Sequence, residues 1–152
     1  MAVKWKTAHA HTKYSKKLYD DQFYIPLIPL QPVIDKLNNE LKENFILDSY
    51  LIPEFKQRGI EYIIRMSGSS MCPKYNNGDL LGCKFVHDTS FYQWGEVYVL
   101  NTKQGTMIKR LFPSEIEGSL ECRSDNEEYP PFLINKDSIC SLSIVLGMLK
   151  LE

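Results

Sequence analysis

A chain of 152 residues and 17.7 kDa fits one domain with room for a real core, plus a tail or arm. Its 43% hydrophobic and 24% charged residues are those of an ordinary soluble globular protein. No apolar run reaches bilayer length and the N-terminus lacks the apolar core of a secretory signal, so a cytoplasmic location with no membrane partner is expected. The net charge of −1 is unevenly placed: Lys4, Lys6, Lys13, Lys16 and Lys17 give residues 1–19 a balance of +5, and the remainder carries −6. A basic arm on an acidic body can touch nucleic acid, although five lysines without a repeating pattern equally suit a solvated tail. The four cysteines contain no C-x-x-C pair and the three histidines stand away from them, so neither a metal nor another cofactor is expected. Cys83, Cys122 and Cys140 read as small buried hydrophobes.

Residues 1–20 show no steady period and read as a loose arm. The apolar stretch Phe23–Pro32 is broken by Pro26, Pro29 and Pro32. It reads as an extended segment along a surface, because proline lacks the N–H that a central strand needs. Val33, Ile34, Leu37 and Leu41 recur at helical spacing, which predicts a short amphipathic helix through Glu43 with Pro32 in its first turn. From Glu61 the period becomes that of strands, over 61–66, 79–86, 96–102, 106–112, 119–124, 131–134 and 142–149, with a hairpin turn at Gln104-Gly105. This pattern predicts a compact, mostly antiparallel β domain over 45–152, preceded by an arm and short helix over 1–44. No helix-turn-helix pattern precedes the β region.

Ser67-Gly-Ser-Ser-Met-Cys-Pro73, closed by Asn77-Gly-Asp79, joins the first two of these strands and cannot be mid-helix. Such a turn can expose one hydroxyl with backbone N–H groups fanned around it, the geometry a nucleophilic serine needs. The same composition also makes an ordinary loop. In Thr106-Met-Ile-Lys-Arg-Leu-Phe112, alternation sets Met107, Lys109 and Leu111 on one face. A lysine between large apolar neighbours loses hydration, its pKa falls, and as a neutral amine it can take a proton from serine. The commoner fate of a strand lysine is a packed stem with its head in water.

Together, Gly68-x-Ser70-Met71-x-Pro73, Gly78-Asp79 and Lys109-Arg110 resemble the LexA-like Ser/Lys peptidase family, which includes LexA, lambda-type phage repressors and UmuD. The similarity continues through Ser124-Asp125-Asn126 with Tyr129 and into Ile144-Val-Leu-Gly147, covering roughly 45–149. The resemblance implies a β-rich peptidase domain of the β-clip type. It matches Ser70 to the nucleophile, Lys109 to the general base, and the backbone N–H groups of Ser69 and Ser70 to the oxyanion donors. Gly68, Met71, Pro73, Gly78 and Asp79 would shape the turn. It also implies a homodimer through the C-terminal strands, where Ser141 to Leu149 are apolar and alternate poorly, as an edge buried in a partner would be. An activated recombinase filament is a further implied partner. DNA would be reached only through a helix-turn-helix domain not present in this chain.

Two departures bear on function. Self-cleaving members carry Ala-Gly or Cys-Gly upstream of the serine, whereas the corresponding stretch between Gln31 and Lys36 holds Pro32-Val33-Ile34-Asp35, which argues against self-cleavage. The second is the missing DNA-binding domain. The reading that results is a dimerisation and sensing domain of a LexA- or phage-repressor-like transcriptional regulator, as in an SOS response, with a Ser-Lys dyad. The alternatives are an active serine peptidase acting on itself or another chain, and a UmuD-like accessory of a translesion polymerase.

Overall fold

The computed structural model describes residues 3–5, 23–30 and 46–152. Among them, ten strands form one sheet. In chain order they are β1 (Val3–Trp5), β2 (Ile25–Leu27), β3 (Asp48–Leu51), β4 (Tyr62–Arg65), β5 (Leu80–Phe85), β6 (Val97–Thr102), β7 (Gly105–Pro113), β8 (Ser119–Arg123), β9 (Phe132–Asn135) and β10 (Ile139–Leu149). The spatial order is β1-β3-β2-β4-β5-β10-β6-β7-β8-β9, and only the β2–β4 pairing is parallel. The domain is therefore mostly β, and every strand predicted from Glu61 onward is present. The expected hairpin is a two-residue turn, Lys103-Gln104, closed by the Thr102–Gly105 pair.

β10 binds the two halves of the sheet together. Its first part pairs with β6 and its second with β5, with register shifts at Ile139/Ser141 and Val145/Gly147. Within the run Ser141 to Leu149, Ser143 and Ile144 are paired on both sides, whereas Gly147 to Leu149 pair with β5 alone. β6, next to it, is buried at every position. Cys83 and Cys122 are buried as expected, but Cys140 is exposed where β10 begins.

Three apolar clusters fill the structure, and one depends on two glycines. The short helix α1 (Pro53–Gln57) starts on Pro53, which needs no N–H partner there, and Gly59, with φ 75°, takes the chain out of it. Phe55 of α1 lies over Gly82 of β5 and Gly147 of β10, which face each other in register. A Cβ on Gly147 would come within 2.6 Å of the Phe55 ring, and one on Gly82 within 2.7 Å of Ile60. The two bare backbones make the slot that the ring fills.

The first thirty residues differ from expectation where they are described. Val3–Trp5, expected within a loose arm, pairs with β3. Ile25–Leu27, expected on a surface, lies inside the sheet between β3 and β4. Its proline is tolerated for a geometric reason. The Leu27 carbonyl accepts from Leu47 N (2.8 Å), just ahead of β3, so alternation turns the Pro26 nitrogen toward β4. There the pairing is a single register pair, Leu27 with Ile63, and the first donor it uses is Ile28 N to Ile63 O (2.9 Å). The missing N–H falls before that ladder begins. The helix expected over Val33–Glu43, the stretch between Gln31 and Lys36, and most of the basic arm lie outside the described residues.

Candidate active site

Between β4 and β5 the chain makes a loop whose base is pinched by Met66 N to Asp79 O (2.7 Å) and Gly78 N to Met66 O (2.8 Å). Gly68 and Gly78, at φ 87° and 93°, take the left-handed backbone that side chains resist. Inside the loop Met71 is wholly buried and Tyr75 nearly so. These apolar plugs pull the chain inward immediately after Ser70, which stays at the half-buried boundary. Cys72 N to Ser69 O (3.2 Å) and Tyr75 N to Met71 O (2.9 Å) wind the following residues into a turn that contains a cis Cys72–Pro73 peptide. At its far end the buried Asp79 carboxylate accepts from Asn76 N (2.8 Å) and from the Lys150 amine (2.9 Å). Burial pushes the Asp79 pKa up, but these two donors outweigh it and hold the carboxyl below its ordinary value. Among the described residues nothing accepts from the N–H groups of Ser69 and Ser70.

Lys109 sits in the middle of β7, opposite Tyr98 of β6, and only 9% of it is exposed. Burial pulls its pKa below the ordinary lysine value. Cys122 opposes this shift, but burial pushes the Cys122 thiol up to about 11, so it carries little charge near neutrality. The next residue, Arg110, turns to the other face. It holds Asp125 through two bonds of 2.6 and 3.1 Å and donates to the Gly95 carbonyl (2.7 Å).

Ser69, Ser70 and Lys109 line one cavity of about 280 Å³, with Met66, Met107 and Tyr129 among its walls. The Lys109 amine stands 5.6 Å from the centre of the Tyr129 ring, and the Tyr129 hydroxyl lies 3.1 Å from Ser69 Oγ. Among the described residues no hydrogen bond joins Ser70 Oγ to the Lys109 amine; the two face the same space. A second cavity of about 300 Å³ adjoins the first, sharing Leu30, Met66 and Ser67 with it. No group of three or more His, Cys, Asp or Glu gathers among the described residues to hold a metal.

Residues 34–145 match the family model described as Peptidase S24-like. The chain belongs to that family. It is the family of the LexA, UmuD and phage-repressor C-terminal domains, as the ordered motifs around Ser70 and Lys109 implied. The matched span of this S24-like chain contains the Ser67–Asp79 loop, Lys109 and the Ser124–Tyr129 loop. No curated protein sequence matches the chain. Two features of the site went unassigned in the sequence: the contacts of Asn126 and Tyr129 with the serine turn, and Leu30 at the cavity wall. Spacing gives no sign of either, since both are contacts between distant segments.

Proposed function

We propose that this chain is the dimerising and sensing domain of a LexA- or phage-repressor-like regulator and that it keeps a chemically competent Ser70–Lys109 pair. The observation that carries the reading is a serine and a buried, pKa-depressed lysine lining one cavity in an S24-like chain. In the proposed reaction the neutral Lys109 amine takes the Ser70 proton as Ser70 Oγ attacks a peptide carbonyl. The N–H groups of Ser69 and Ser70 receive the oxyanion, where losing one donor typically costs about 3 kcal/mol. Lys109 then returns the proton to the leaving amine, and water releases the acyl group from Ser70. Lys109→Arg should abolish the activity, because a guanidinium does not deprotonate.

Self-cleavage is the second reading, and Pro32-Val33-Ile34-Asp35 stands against it, since these bulky and charged residues replace the small pair that self-cleaving members use. Incubation at raised pH, with and without an activated recombinase filament, separates the two. A discrete fragment that disappears in Ser70→Ala and Lys109→Ala establishes self-cleavage. An intact chain whose Ser70 is nonetheless modified by a serine-directed probe supports the first reading, and absence of both sinks the dyad. The homodimer belongs to the same proposal. Leu146, Met148 and Leu149 at the end of β10 remain partly exposed and suit such a contact. Sedimentation equilibrium giving a one-chain mass at micromolar concentration would remove this part.

A further inference from the structure

The loop after β8 reaches across to the serine turn, and besides the Tyr129 hydroxyl on Ser69 Oγ, Asn126 makes two connections to its backbone. Asn126 Nδ2 donates to the Ser69 carbonyl (3.0 Å), and Asn126 N donates to the Ser70 carbonyl (3.0 Å). The Asn126 Oδ1 accepts from Glu128 N (3.0 Å), which fixes which end of the side-chain amide is the donor. Asparagines often close a local turn in this last way. The bonds to Ser69 and Ser70, more than fifty residues away in sequence, have no part in closing a local turn.

Those bonds act on the peptide planes of the serine turn. The cis peptide in the described chain is Cys72–Pro73, so Ser69–Ser70 is trans and planar. In a trans peptide the carbonyl and the following N–H point in opposite directions. Holding the Ser69 carbonyl toward Asn126 therefore sends the Ser70 N–H the other way. Cys72 N, at 3.2 Å from the same oxygen, adds a second restraint on that plane. The bond to the Ser70 carbonyl fixes the next plane likewise. The loop that carries Asn126 is itself fastened to the general-base strand. Asp125 is paired with Arg110, the neighbour of Lys109, and Tyr129, whose N–H donates to Asn126 O (3.1 Å), lies over the Lys109 amine.

We propose that Asn126 is a positioning residue for acyl transfer: by gripping the Ser69 carbonyl it aims the Ser70 N–H at the oxyanion, and its hold on the Ser70 carbonyl steadies the plane that follows. This rests on the Ser70–Lys109 reading, and the test separates the two. The full-length chain is treated with a fluorophosphonate, which forms a Ser70 Oγ–P bond with loss of fluoride and calls on the same N–H donors. The Ser70 amide is followed in parallel by nitrogen–proton NMR. Asn126→Asp keeps the size and the acceptor for Glu128 N but sets an oxygen against the Ser69 carbonyl; Asn126→Ala removes the donor without adding charge and stands in if the first variant misfolds.

Labelling should slow roughly 10- to 100-fold in either variant, with the pH midpoint of the rate unchanged and the Ser70 amide signal displaced. Wild-type labelling rates in the folded variants, an unmoved Ser70 signal, or a shifted pH midpoint that traces the loss to Lys109, would each overturn the proposal. If Ser70 is not labelled in the wild type at any pH, the peptidase reading fails, and the NMR signal alone then decides whether Asn126 orients the amide.

Discussion

Lys109 costs the fold stability in order to sit where it does. In the folded chain its pKa is depressed below the ordinary value, so between the folded and unfolded pKa values the unfolded chain binds more protons. Stability linked to this residue therefore rises as pH climbs through the folded pKa toward 10.5, and below that window the full penalty of a buried ammonium is present. Lys109→Met should raise the denaturant midpoint at pH 7 and lose that advantage at pH 10. Equal midpoints for the two chains at pH 7 would mean that the amine is well solvated. The candidate serine and lysine were singled out in the sequence, Ser70 in a turn that no helix could hold and Lys109 between apolar neighbours on an alternating strand, and the ordered LexA-like motifs paired them; that they line one cavity is a fact of the fold. The part played by Asn126 was not legible, because nothing local distinguishes an asparagine that closes its own turn from one that also grips a distant backbone.

At the scale of elements, the strands from β4 to β10 were legible because each is long enough to show a period and is bounded by Gly, Pro, Asn or Asp. β2, β3 and α1 were not. β3 buries Asp48 and Ser49, against the rule that buried positions are apolar, and β2 carries a proline at its centre. α1 is a single turn that owes its place to Phe55 filling the slot over Gly82 and Gly147. That packing makes a sharp prediction. Gly147→Ala should cost about 1–3 kcal/mol, since the ring and the two strands leave no room for a methyl group. Phe55→Ala should cost about 3–5 kcal/mol by opening a cavity. The double variant should be less destabilised than the sum, because removing the ring makes space for the new Cβ. Strict additivity in urea unfolding would show that the ring and the glycines do not share the slot.

For the whole molecule, β10 is the element that makes one sheet of two halves. Its apolar residues read in the sequence as one continuous run, which does not show that the first part pairs with β6 and the second with β5. Just past β10, Lys150 reaches Asp79 at the far end of the Ser67–Asp79 loop, so the end of the chain also braces the candidate site. The Asp79 carboxyl is held below its ordinary pKa, so the stability it supplies is present above the unfolded carboxyl value and is lost as pH falls through the folded one. Lys150→Ala should destabilise the protein at pH 7 by less than about 1 kcal/mol, Lys150 being half exposed, and should leave stability at pH 2 unchanged. An equal loss at both pH values would assign the effect to packing of the lysine stem.

The proposed activation of Ser70 by a neutral Lys109 amine is open to measurement. It is tested most directly by the rate at which the intact chain is labelled on Ser70 by a fluorophosphonate between pH 6 and pH 10. The rate should rise with pH through a midpoint below 10.5, the ordinary lysine value, and collapse in Lys109→Ala. A rate in Lys109→Ala that matches the wild type across the range would contradict it.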